Sequence, residues 1–298
     1  MAYKNNQNDE VFNKIAELLE KGTVPWVKPW NCDGLMPHNG VSKHKYRGLN
    51  FFITSFLHPE DPRFYTVKQF VMMGGRVPED DFKNFTPVSF WKLTKIETDK
   101  TDENGEPVFF MKWTCKNWRV YNYSQIKWLK GEPPALEISS REHNPNDEIE
   151  NFIVASELKI NREVGQIRAF YRPSEHAIHL PIAERFSDEK GFYSTVFHEM
   201  IHATGHESLL NRNLKNMFGS ENYAFEELIA EMGAAMLCAR FGIDNTDFNQ
   251  SAAYIADWLK EIKKTPSALS KAATAASKAV EFLLTKFDGP TAPENEEE

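Results

Sequence analysis

Cysteine is scarce in this chain of 298 residues: Cys32, Cys115 and Cys238 are odd in number and far apart, which excludes a disulfide framework and a CxxC metal site. Long apolar runs are missing as well. Nothing approaches the roughly 18 residues that a membrane span needs, and the opening MAYKNNQNDEVF has neither a charged n-region nor an apolar h-region. These absences lead to the expectation of a reduced, cytoplasmic protein without a membrane partner. Internal repeats are not visible, and low complexity is confined to the acidic end PENEEE, expected to be a disordered tail over 289–298. A strong positive charge is also absent, since the formal net charge is -8, so the whole chain is not a basic coat for nucleic acid.

What is present is unevenly divided. Residues 1–130 hold 19 Lys+Arg against 15 Asp+Glu, a net of +4; the remainder holds 16 against 28, a net of -12. Six of the seven tryptophans (Trp26, Trp30, Trp91, Trp113, Trp118 and Trp128) lie in the first part. The two parts therefore face different partners. Between them GEPPALEISSREHNPNDEIE, Gly131 to Glu150, is rich in proline and charge and reads as a linker. The expected organisation is an α+β protein: a mixed α+β domain over 1–130, a linker over 131–150 and a second domain over 151–288.

In the first domain, Phe12, Ile15, Leu18 and Leu19 share one stripe of a helix over about Asn8 to Lys21. A second helix is expected over Leu49 to Phe56, and a third in TVKQFVMMGG, capped by Thr66 and stopped by the glycine pair. TPVSFWKLTKIET and EPVFFMKWTCKNWRVYNY read as two strands of a hairpin joined by DKTDENGE. The loop from Trp26 to Asn50 interleaves Trp26, Trp30 and Tyr46 with Lys28, Lys45 and Arg47, and adds Asn39 and Asn50 as polar readers. Planar rings for stacked bases and cations along a backbone are what a single-stranded-DNA path needs. The hairpin extends this platform in the expectation, through Trp113, Lys116, Trp118, Arg119 and Tyr121. The competing reading is that these aromatics are core.

In the second domain, ENFIVASELKI reads as an opening helix and VGQIRAFYRPSEHAIHLP as a hairpin turning at Pro173 to Glu175. A helix beginning near Ser194 then carries HEMIHATGHESLLNR. His198 and His202, four apart, share a face and can hold one zinc ion, and Glu199 can take the proton of an attacking water. Val196, Phe197, Met200 and Ile201 make that helix a buried one. Ser208 stands where a metzincin needs its third histidine, which excludes that pattern. His206 is the nearest further ligand candidate, but Gly205 is expected to end the helix and swing it away. The better source is YAFEELIAEMGAAMLCARFG, where Glu227 and Glu231 share a face, Glu226 is rotated about 100° away, and Ala230, Gly233, Ala234 and Ala235 permit close helix packing. Glu227 is assigned as third ligand and Glu231 as the carboxylate orienting a histidine, with the opposite assignment open. His206, Tyr193 and Tyr223 are unranked candidates for a second oxyanion donor. Manganese is the alternative to zinc. The acidic charge of this half argues against DNA hydrolysis at the centre.

VPWVKPW, PHNGVSKHKYRGLN, YTVKQ, TPVSFWK, VYNYSQI, AFYRPSEHAIHLP, FHEMIHATGHESLLNR and YAFEELIAEMGAAMLC together resemble the ArdC-type antirestriction proteins, over about Val11 to Phe287. The resemblance implies an N-terminal single-stranded-DNA-binding domain joined to a C-terminal zincin-like metallopeptidase domain, carried by a conjugative element and protecting incoming DNA from host restriction. It implies a metal site on His198, His202 and a glutamate of EELIAE, with Glu199 as base. Three functions follow: DNA protection with a restriction-related protein substrate, a DNA-binding protein whose metal is structural, or a cytosolic regulatory metallopeptidase without DNA binding.

Overall fold

The computed structural model describes residues 10–21, 36–58, 61–101, 107–129, 145–186, 188–212, 214, 221–243 and 267–289. Trp26, Lys28 and Trp30, Cys32, most of the linker and the acidic tail lie outside the described residues.

The first part contains α1 (Glu10–Glu20), β1 (His38–Asn39), α2 (Leu49–Leu57), β2 (Arg63–Thr66), α3 (Val67–Met72), β3 (Gly75–Arg76), β4 (Thr86–Thr101), β5 (Pro107–Asn122) and β6 (Lys127–Trp128). The expected helices are all there. Thr66 caps α3 through a capping box with Gln69, its hydroxyl accepting from the Gln69 N–H while the Gln69 side chain accepts from the Thr66 N–H. One sheet has the order β1-β2-β5-β4, and β3 pairs with β6. β4 and β5 form the expected hairpin, but as an arm of 16-residue strands, roughly 50 Å long and exposed along most of β5.

The second part contains α4 (Pro145–Ala155), β7 (Lys159–Glu163), β8 (Phe170–Arg172), β9 (Ala177–Pro181), α5 (Glu189–Thr204), α6 (Glu221–Arg240) and α7 (Ser267–Asp288). β9 is the central strand of a three-stranded sheet, parallel to β7 and antiparallel to β8. The turn at Pro173–Glu175 is as expected. α4 begins inside the expected linker. α5 begins at Glu189 rather than near Ser194, because the Asp188 carboxylate accepts from the Gly191 N–H and caps it more than a turn earlier.

The principal core crosses the boundary drawn in the sequence. Val11 and Ile15 of α1 and Phe51, Phe52 and Ile53 of α2 belong to the same buried cluster as Phe197, Met200 and Ile201 of α5, Leu237 of α6 and Leu283 of α7. The Gly48 N–H donates to Ser277 Oγ at 2.9 Å, tying the start of α2 to α7. A smaller core of Tyr65, Phe70, Val77, Tyr121 and Ile126 belongs to the first part alone. Among the described residues no helix is long and apolar enough to cross a membrane.

Candidate metal centre

α5 and α6 cross closely because α6 presents small residues. A Cβ on Gly233 would stand 2.7 Å from the Ile201 side chain, so only glycine permits this approach. The crossing brings three ligand atoms together, one each from His198, His202 and Glu227, all within 4.8 Å of one another. The two Nε2 atoms lie 3.1 Å apart, and Glu227 faces them at 3.6 Å (His198) and 3.5 Å (His202). Nitrogens ligating one tetrahedral ion at about 2.1 Å stand roughly 3.4 Å apart, so the set fits a divalent cation. The side chains are only 14, 12 and 13% exposed.

Glu199, Glu226, Glu227 and Glu231 surround the histidines, and Arg212 pairs with Glu226, so the site concentrates buried acid that a cation would offset. Burial, together with His202, lowers His198 to about 4. Burial also opposes charge on His202, but its hydrogen bonds to the accepting carboxylates of Glu226 and Glu227 and the charge of Glu199 override it and raise His202 to about 10. Burial would raise Glu227, yet its bonds to His202 and Tyr223 and the imidazole charges keep it low. Glu199 is raised, first by burial and then by Glu227, while the backbone N–H of Tyr171 on β8 donates to it.

The expected roles sort as follows. Glu231 lies on the far side of His198, 3.7 Å from Nδ1, a nitrogen without a hydrogen-bond partner among the described residues, and is raised to about 8 by burial and by Glu227. It is not among the converging ligand atoms. His206 is also outside them: its ring stacks on His176 at 3.9 Å and its Nδ1 bonds to Ser208 Oγ. The helix does end before His206, though Gly205 is right-handed (φ -73). A Cβ at Gly205 would meet Leu214 Cδ2 at 2.8 Å and Arg212 Nη2 at 2.9 Å, so a larger residue there would have to displace these side-chain ends. Tyr193 donates to Glu150 at 2.9 Å, whereas Tyr223 bonds to Glu227.

Glu226 and Arg212 were missed by the sequence reading. Glu226, set aside for its rotation, faces His202 Nδ1 at 3.3 Å. Arg212 grips it with two donors, at 2.8 and 3.1 Å, and also donates to the Ile201 carbonyl and to Thr204 Oγ1 at the end of α5. A buried Arg and Glu are mutually required, and no local pattern in the polar stretch around Arg212 marks the pair.

The residues assigned to DNA fare differently. Tyr46 is buried against Phe64. Asn39 is buried, exchanges two hydrogen bonds with Gln69 and accepts from the Val41 and Ser42 N–H groups. Asn50 accepts from the Ser89 N–H and donates to its carbonyl, adding a rung to the edge of β4. These three are placed as structural groups, because a side chain whose donors and acceptors are satisfied inside the fold has none left for a base. Arg47 pairs with Glu281 of α7 at 3.3 Å, and Lys45 is exposed. Nor does the hairpin present Trp113, Lys116, Trp118, Arg119 and Tyr121 together: Trp113, Arg119 and Tyr121 occupy one face of β5, Lys116 and Trp118 the other.

Comparison with known proteins follows this division. The N-terminal domain of anti-restriction factor ArdC matches residues 5–121, and a zincin-like metallopeptidase family matches residues 147–275. The chain is 34% identical to a DNA primase TraC of Escherichia coli over 93% of its length, but spans only 27% of that protein. It is 28% identical to the uncharacterized protein y4eC of Sinorhizobium fredii (strain NBRC 101917 / NGR234), covering 92% of this chain and 90% of that one. The metal-free crystal structure of antirestriction protein ArdC from the R388 plasmid superposes with a TM-score of 0.75 at 32% identity, covering 96% of this chain and all of that one. Its Mn(II)-bound structure superposes with a TM-score of 0.72, over 94 and 98%. On sequence, fold and full-length coverage, the chain belongs to the ArdC antirestriction family.

Proposed function

We propose that this protein binds single-stranded DNA of a mobile element and protects it from host restriction, using a metal-dependent peptidase centre on a restriction-related protein. The observation that carries the reading is the convergence of His198, His202 and Glu227 beside a buried Glu199, in a chain that matches an antirestriction protein end to end. His198, His202 and Glu227 would hold the ion, Glu226 would orient His202 through its bond to Nδ1, and Glu231 would face His198 Nδ1 from 3.7 Å. Two imidazoles and a carboxylate suit zinc, while the Mn(II)-bound relative supports manganese as the alternative. When bound, the ion supplies Lewis acidity to a carbonyl and makes water acidic enough to lose a proton near neutral pH.

The protein's own groups do the rest. Glu199, raised by burial, is a base matched to that task. The Tyr171 N–H fixes its carboxylate against β8, the edge strand of the sheet. Tyr223 bonds to Glu227, whereas Tyr193 is held by Glu150 and His206 stacks on His176.

The test is Glu199→Gln in a restriction-protection assay with transferred DNA. The variant should retain its metal and its fold but lose protection. Full protection by a metal-loaded Glu199→Gln protein would instead assign the metal a structural role. Metal content separates the carboxylates: Glu227→Ala should lose the ion, and Glu231→Ala should weaken it by roughly 10–100-fold.

A further inference from the structure

The arm supplies a surface that neither the motif nor the loop described. β4 and β5 are in unbroken antiparallel register from Thr86–Val120 to Glu97–Phe109, so cross-strand partners share a face. On one face the successive pairs are Val88 with Trp118, Phe90 with Lys116, Lys92 with Thr114, Thr94 with Lys112, and Ile96 with Phe110. Three consecutive rungs thus carry one lysine each, on β5, β4 and β5 in turn. Lys92, Lys112 and Lys116 are exposed, and no carboxylate of the described residues pairs with them. Phe90, Trp118 and Phe110 flank them, 37, 46 and 49% exposed. The opposite face is different: Leu93, Trp113, Met111 and Phe109 make it apolar, and Lys95 lies over the Phe109 ring at 3.8 Å.

We propose that the Lys92–Lys112–Lys116 face of the β4–β5 arm is the surface on which single-stranded DNA lies. This rests on the reading of single-strand binding given above. Same-face rungs are roughly 6.8 Å apart, so one lysine per rung can follow the successive phosphates of a strand laid along the arm. The exposed rings of Trp118 and Phe90 at one end of the lysines and Phe110 at the other are platforms on which the bases of that strand stack. A duplex keeps its base faces stacked inside the helix, so the rings select single strands. Tyr46, Asn39 and Asn50 lie inside the fold that supports the base of the arm and do not touch the strand.

The test uses the full-length protein and a fluorescein-labelled oligothymidine of about 20 nucleotides, followed by anisotropy across a salt series. The parent should bind, with affinity falling as salt rises. The triple variant Lys92→Glu, Lys112→Glu, Lys116→Glu should lose roughly 100-fold in affinity near 0.1 M salt, and its slope of log affinity against log salt should flatten by about 2. Trp118→Ala, which keeps every charge, should weaken binding about 10-fold and leave the slope unchanged. Lys95→Glu, on the other face, should bind like the parent. Thermal melts of the variants report whether the arm has kept its fold. A folded triple variant that binds like the parent overturns the assignment to this face while leaving single-strand binding intact. A parent that shows no salt-sensitive binding removes the single-strand reading and this surface with it.

Discussion

Removing the guanidinium of Arg212 should damage the metal centre from outside it. Arg212 is 12% exposed and its partner Glu226 9%. It makes two bonds to the Glu226 carboxylate and one each to the Ile201 carbonyl and Thr204 Oγ1. Arg212→Met keeps the length of the side chain but leaves Glu226 buried beside Glu227 without its counter-charge. Breaking a buried pair by deleting one partner costs about 3–5 kcal/mol. At roughly 2 °C per kcal/mol for a chain of this size, the unfolding transition should fall by roughly 6–10 °C. The loss should also reach the ligands, because Glu226 holds His202 through Nδ1, and loss of such an outer partner lowers metal affinity by roughly 10–100-fold. The assay is a calorimetric melt with a parallel metal titration, using Arg212→Lys as the intermediate variant. Lys restores the charge but cannot span Glu226, Thr204 and Ile201 together, so partial recovery is expected. If Arg212→Met melts within about 1 °C of the parent and binds metal as tightly, the brace described here does not act.

Three further outcomes follow from the same contacts. Gly233→Ala places a Cβ against Ile201, pushing α6 from α5; it should cost about 1–3 kcal/mol in a melt and weaken metal binding, and an unchanged melt would refute the close approach. Asn50→Leu removes the two bonds to the Ser89 backbone; it should destabilise by about 2 kcal/mol without changing the salt slope of DNA binding, whereas a flattened slope in a stable protein would return Asn50 to the DNA path. Metal binding at pH 7 should release about one to two protons, since His202, raised to about 10, must give up its proton to a ligating metal and Glu231, raised to about 8, is pulled down by the cation. Affinity should therefore rise with pH, and calorimetry in buffers of different ionisation enthalpy checks it; zero release would contradict the raised His202.

Local patterns were legible because short-range rules set them. The apolar stripe of α1, the Thr66 cap with Gln69 three residues on, and the turn at Pro173–Glu175 all came out at or near their expected places. The start of α5 was misplaced because the Asp188 cap precedes the apolar periodicity. The loop from Trp26 to Asn50 shows a different limit: composition says that Tyr46, Asn39 and Asn50 can stack or donate, but not whether the fold has already used them. Their partners Gln69, Phe64 and Ser89 are 18 to 39 residues away and adjacent only after folding.

The sequence by itself determined the chemistry of the centre. His198, Glu199 and His202 are spaced by one helical turn, so any helix over HEMIH presents the two imidazoles on a common face. It also limited the third ligand to the acidic face of one later helix. Only tertiary structure could choose among the carboxylates of that helix, because the angle at which α6 crosses α5, set by Gly233 against Ile201, decides which glutamate reaches which nitrogen. At that crossing Glu227 faces the two Nε2 atoms while Glu226 and Glu231 reach the Nδ1 sides. The same holds for the arm: strand alternation fixes which residues can share a face, but the register between β4 and β5 puts one lysine on each of three successive rungs.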